Sequence, residues 1–194
     1  MNKNIRGFAA VELAIVIGFF ALVLSVVMFY LNPIERAKQK HDERLSRDSR
    51  KVLNALSSFY AAHGRVPWSA SIDTKDLSPA LSWKPLRAPE IGICQDEACQ
   101  KAGELITAGF LSQDYKAQDS VLGRNGVVYV GKTGGPQNSA WACFVPTSKK
   151  FRKETGKLFR ISLDKPFPAS GTLNSCPSNL TWDEEDVCYT CVAK

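Results

Sequence analysis

The stretch Gly7-Phe8-Ala9-Ala10-Val11-Glu12, followed by a run without charge from Leu13 to Leu31, decides how this chain is organised. A short basic leader, Met1 to Arg6, runs into the glycine, and an apolar helix is expected to begin just beyond it. That helix carries one carboxylate, Glu12, almost at its start. A charge at the centre of a membrane-length apolar run costs roughly 2.5–3.5 kcal/mol on insertion scales, so it calls for a partner. As a helix, residues 8–31 extend about 36 Å at 1.5 Å per residue, enough for a bilayer core of about 30 Å, and Leu13–Leu31 alone reach roughly 28 Å. A cleaved secretory signal has a shorter apolar core followed by a small-x-small site. Here bulky Met28, Phe29, Tyr30 and Leu31 end the run, so the span is expected to be retained. By the positive-inside tendency, Lys3 and Arg6 place its N-terminal end in the cytoplasm and the C-terminal domain outside, although Arg36, Lys38 and Lys40 pull the other way.

Asn32-Pro33-Ile34-Glu35 reads as a junction with two outcomes. Either Asn32 caps a new helix, with Pro33 at its first position and Glu35 reaching back as a capping-box acid, or the helix runs through and Pro33 only kinks it. Beyond it, Ile34, Leu45, Val52, Leu56, Phe59 and Tyr60 fall on one face at a 3.6-residue period, with charged residues crowding the remainder. This amphipathic half is expected to end near His63-Gly64, the glycine acting as stop. Stem and amphipathic half together predict one long helix from about 8 to 63. His41 and His63, far apart on it, read as surface positions rather than ligands.

The remainder of the chain beyond this helix suits one small domain, and 44% apolar with 23% charged residues excludes wholesale disorder. Residues 65–90 look loop-like, with Pro67, Pro79, Pro85 and Pro89. Asp96 to Thr107 reads as a short helix ended by Gly109. Strands are expected at Gly126–Gly131, Ser139–Val145 and Leu158–Leu163, a helical turn at Thr147–Glu154, and one more strand around Val187–Val192. The predicted fold class is α+β: a long N-terminal helix, apolar then amphipathic, packed on a small antiparallel sheet with a disulfide-stapled C-terminal region. The division expected is a leader at 1–7, an apolar transmembrane and assembly helix at 8–31, its amphipathic continuation at 32–63, and a head at 64–194.

Six cysteines, Cys94, Cys99, Cys143, Cys176, Cys188 and Cys191, all lie beyond the apolar run, which points to disulfides in an oxidising compartment. Six cysteines allow 15 pairings, and the sequence does not choose among them. Cys188-Tyr189-Thr190-Cys191 also has zinc-ligand spacing, with Cys143 and Cys176 available to complete a site; disulfides are the favoured reading. Gly126 to Thr133 matches the phosphate-loop pattern letter for letter. The residues between its glycines read as a β-strand, however, and Gly134-Gly135-Pro136 leaves no helix to hold a phosphate. Asp183-Glu184-Glu185-Asp186 lacks the spaced ligands of a calcium loop and reads as a solvated acidic bend. Asn179-Leu180-Thr181 fits a glycosylation sequon, a short pattern of little weight. The basic thickening from Lys149 to Arg160 reads as a solvated face rather than a nucleic-acid surface. No nucleophile–base–acid set emerges, so no enzymatic activity, cofactor or metal is expected.

The N-terminal third, residues 1–67, resembles a type IV pilin or pseudopilin precursor. The resemblance rests on the basic leader through Gly7, on Phe8 directly after it, on Glu12 as the fifth residue beyond the glycine, and on the long helix that comes next. Ala9-Ala10 stands where the family more often has threonine and leucine, and Pro33 lies about a turn later than the family's helix proline. The resemblance implies cleavage between Gly7 and Phe8 by a prepilin peptidase, methylation of the new Phe8 amine, and assembly with other pilin-like subunits through the helix. It also implies membrane assembly machinery and membrane lipid as partners, and an extracellular filament as the end state. Glu12 then either complements its own helix N-terminus or pairs with the Phe8 amine of a neighbouring subunit. Major pilin, minor pilin and secretion pseudopilin stay open, as does a signal-anchored exported binding domain that never assembles.

Overall fold

Proline 33 breaks the N-terminal helix in two. A computed structural model describes residues 10–71, 78–124, 126–154, 156–168, 170–177 and 187–194. In it α1 spans Ala10–Leu31 and α2 spans Pro33–His63. The single helix expected from 8 to 63 is therefore interrupted at Asn32, the capping outcome of the two the junction allowed. Asn32 is left-handed at φ 33°, and its Oδ1 accepts from the Glu35 N–H at 3.3 Å. Proline at the first helical position forfeits no intrahelical bond, because that N–H has no partner in any helix. Glu35 does not reach back as a capping-box acid would: its carboxylate accepts from the Lys149 N–H instead, at 2.6 Å. At the other end Gly64 turns left-handed (φ 69°) and donates its N–H to Tyr60, as the glycine stop predicts.

The head is a six-stranded antiparallel sheet: β1 Leu81–Pro85, β2 Val128–Lys132, β3 Ala140–Phe144, β4 Leu158–Arg160, β5 Asn174–Ser175 and β6 Tyr189–Ala193, in the spatial order β1-β2-β3-β6-β4-β5. Three short helices, α3 Glu104–Thr107, α4 Asp119–Leu122 and α5 Lys149–Arg152, sit in the connections. Two of these elements correct the sequence-based expectations. Leu81–Pro85, inside the stretch that reads as loop, is the edge strand of the sheet. Of the helix expected over 96–107 only Glu104–Thr107 forms, because Cys94 and Cys99 close a disulfide loop before it.

One face of α2 supplies the core. Leu45, Val52, Leu53, Leu56 and Phe59 are buried with Val128 and Val130 of β2 and Ala142 and Phe144 of β3. Alternation along the strands sends Tyr129, Trp141 and Cys143 into a second cluster with Trp83, Phe167 and Tyr189. Gly131 lies in that second layer, where a Cβ would fall 2.6 Å from the Phe167 ring and 2.8 Å from Trp83. That is why glycine stands there: the last glycine of the phosphate-loop lookalike is a packing position in a strand. Strand β2 pairs antiparallel with β3 along its whole length, and the Lys132 ammonium donates to the carbonyls of Thr133 and Gly135 at 2.9 and 2.5 Å.

Periodicity misplaces some faces of α2. Ile34, expected in the apolar stripe, is 70% exposed, and Tyr60 is only half-buried. Asp42 and Asp48, by contrast, are buried carboxylates. Asp42 accepts from the backbone N–H of Thr147 (3.0 and 3.1 Å), the Thr147 hydroxyl (2.9 Å) and the Ser148 N–H (2.8 Å). The Ser120 hydroxyl donates to Asp48 at 2.7 Å, and the Tyr115 hydroxyl donates to the Asp48 carbonyl at 2.9 Å. Burial, and behind it the negative charge of Asp48, raises the Tyr115 hydroxyl pKa well above its ordinary value; burial and then Tyr129 raise that of Tyr189.

This polar seam has two measurable consequences. Asp42→Ala leaves the donors of Thr147 and Ser148 without their acceptor, so it should cost about 2–4 kcal/mol in denaturant unfolding. For Tyr115 and Tyr189 the folded pKa lies above the unfolded value near 10.0, so the stability each contributes is complete below that pH and is lost as pH rises beyond it. Ultraviolet titration should show both phenols ionising above the unfolded value, Tyr115 only as the chain unfolds.

Candidate functional site

The residues on which the sequence-based expectation of assembly rests are Gly7, Phe8, Glu12 and the junction at Pro33. Gly7 and Phe8 lie outside the described residues. Glu12 sits in the first turn of α1, where a carboxylate meets the positive end of the helix dipole. From Val11 to Val26 every large apolar side chain is exposed, among them Ile15, Phe19, Phe20 and Leu24, distributed around the helix rather than along one stripe. Ser25 is the one hydroxyl in that stretch, and it donates to the Ala21 carbonyl at 2.7 Å, so it brings no unsatisfied donor. Among the described residues no helix is long and apolar enough to cross a membrane. The side chains described along α1 stop at Val26, roughly 25 Å from its start, against a bilayer core of about 30 Å.

Asn32 and Pro33 uncouple this stem from the head, while Glu35 and Asp42 on the next turns of α2 tie the head back to it. Both carboxylates grip the segment Thr147–Lys149 at the start of α5, whose first turn is also capped by the Ser148 hydroxyl. Sequence reasoning misses this clamp. Its partners lie 105 to 114 residues away, and a carboxylate on an amphipathic helix carries no local sign of burial.

All six cysteines are in disulfides: Cys94–Cys99, Cys143–Cys191 and Cys176–Cys188. Cys188 and Cys191 are not bonded to each other, and neither is left as a thiolate for the zinc alternative. Cys143 and Cys191 face each other directly across β3 and β6. Within the Cys94–Cys99 loop, hydrogen bonding from the Gln100 amide, reinforced by Lys101, holds the Asp96 carboxyl below the usual aspartate range. The two histidines stay apart; His63 stacks on Phe59 with ring centroids 4.3 Å apart, a packing role. The acidic run Asp183–Asp186 and the sequon at Asn179 lie outside the described residues. The basic stretch after Ser148 lies against α2, where Lys150 meets Glu43 at 3.6 Å.

No family model matches the chain, and neither a curated protein nor a solved structure matches it.

The left-handed cap gives the junction a defined sensitivity. Asn32→Ala loses the cap and puts a residue without asparagine's tolerance of left-handed backbone at that position, together about 1–2 kcal/mol, whereas Asn32→Gly suits the backbone at a cost of roughly a few tenths. Hydrogen exchange at the Glu35 amide should accelerate in both variants, which lack its side-chain acceptor, whereas the Arg36 amide, bonded to the Asn32 carbonyl at 3.2 Å, should accelerate in the alanine variant and change little in the glycine variant.

Proposed function

We propose that this chain is a non-enzymatic, membrane-held subunit of a type IV pilus or of a related secretion filament, assembled through an apolar-then-amphipathic N-terminal helix. The observation that carries the reading is the stem: a helix with exposed apolar side chains on every side and one carboxylate in its first turn. In such a subunit, lipid surrounds the stem before assembly and neighbouring stems surround it afterwards. The proposed span includes residues 27–31, which extend the apolar run to Leu31. The head, on this reading, lies outside the cytoplasm, and three disulfides are in keeping with an oxidising compartment.

Glu12 is the proposed docking residue. Cleavage after Gly7 creates a positive amine on Phe8 within about one helical turn of Glu12 in the sequence. Pairing between the Glu12 of one subunit and the Phe8 amine of the next neutralises both charges inside an apolar bundle, and it sets the axial register between them. The same stem also suits an anchor that keeps its leader and never assembles.

Mass spectrometry of the mature N-terminus decides between the two. A chain beginning at methylated Phe8 is expected; an intact Met1 assigns the protein to the anchored class. Glu12→Gln should abolish or sharply reduce assembly while leaving the fold of the head and membrane insertion unchanged, and normal filaments from that variant would overturn the pairing.

A further inference from the structure

We propose that the cleft between α2, α5 and β6 is a docking site for a carboxylate-rich segment, filled by the acidic run Asp183-Glu184-Glu185-Asp186 of a second copy of this chain. The cleft measures about 580 Å³. Two acids at its rim already have lysine partners: Glu43 with Lys150 at 3.6 Å, and Glu154 with Lys157 at 3.1 Å. Two cations do not. Arg47 and Arg50, three residues apart on the exposed side of α2, line the cleft without an ion pair or side-chain hydrogen bond among the described residues. Like charges at that helical spacing repel each other, a cost that an anionic partner removes. Thr190, on the β6 side of the same cleft, is 4% exposed, and its hydroxyl has no hydrogen-bond partner among the described residues. A buried hydroxyl beside two unpaired guanidinium groups suits a carboxylate, which accepts two N–H donors from one guanidinium fork and a further O–H.

Charge complementarity identifies the occupant. Four consecutive acids in this chain lie outside the described residues. The run joins the head through Val187, an exposed apolar residue, and then through buried Cys188, which the Cys176 disulfide anchors. Each copy carries both the cleft and the acidic run, so the contact links one copy to the next and suits a repeating assembly. The choice of a second copy rests on the filament reading proposed for the stem; the cleft's preference for carboxylates does not.

The test is a fluorescence anisotropy titration of full-length chain in detergent micelles with a dye-labelled peptide of residues 177–187. Saturable binding is expected, weakening at least about tenfold in the Arg47→Ser/Arg50→Ser variant and falling steeply as salt rises from about 0.05 to 0.5 M. Arg44→Ser, one turn earlier on α2, should bind as the native chain does, and circular dichroism with unfolding midpoints checks that each variant is folded. Absence of saturation overturns the site, as does equal affinity in the double variant or equal binding of a peptide with Asn and Gln in place of the four acids. A chain carrying Asp183→Asn, Glu184→Gln, Glu185→Gln and Asp186→Asn distinguishes the source. Unchanged peptide affinity supports the second copy, while markedly tighter binding shows that the chain's own run fills the cleft and overturns it. Peptide binding is read without assembly, so a chain that keeps Met1 fails the filament reading while the titration still decides the cleft.

Discussion

The head has a core only where α2 lies against the sheet. Leu45, Val52, Leu53, Leu56 and Phe59 are all but removed from solvent there, while the apolar side chains of α1 from Val11 to Val26 stay exposed and cover none of that face of β2 and β3. A small sheet cannot stand alone in water, so α2 is at once the last part of the stem and the first part of the domain. Asp42 and Asp48 add direction to this contact. Apolar packing alone tolerates sliding along a helix, whereas a buried carboxylate with several fixed donors does not. The two acids, six residues apart, therefore set where the connections before α4 and α5 meet the helix. Glu35 extends the same device toward the stem.

The opposite face of the sheet is organised differently. Trp83, Phe167, Trp141 and Tyr189 form a thin aromatic layer in which Trp83 and Phe167 lie 4.9 Å apart over Gly131. A layer of that thickness buries less than a second helix would, and one covalent staple, Cys143–Cys191, lies within it. Cys143–Cys191 bonds neighbouring strands, and Cys176–Cys188 closes the segment beside β6. A disulfide works chiefly by limiting the unfolded chain, which is most useful where burial is thin.

The chain's long-range plan is legible in its sequence wherever the signal is periodic or local. The stop at Gly64, the β2–β3 hairpin and the use of cysteines as disulfides come from backbone chemistry that a few adjacent residues display. Strand β1 escapes because Pro79, Pro85 and Pro89 around it read as loop. An edge strand bonds on one side only, so it tolerates a proline that a central strand would refuse. Ile34 fits the apolar stripe yet stays in solvent, because the stripe begins before the head does. The clamp at Asp42 and the cleft at Arg47 and Arg50 are invisible in the sequence for a shared reason. Each is made by α2 facing residues at least a hundred positions away, and only the fold brings them together.

The spatial order of the strands also makes one short segment indispensable to the sheet. The last strand in sequence, Tyr189–Ala193, lies in the interior of the sheet, bonded to β3 on one side and β4 on the other. Without those five residues the β4–β5 pair has no neighbour in the sheet and β3 is an open edge. Cys143 and Cys176 likewise find their partners, Cys191 and Cys188, in and beside that strand, so the sheet's middle pairing and two of its disulfides depend on one short segment. A truncation of only a few terminal residues would remove the middle of the sheet rather than its margin.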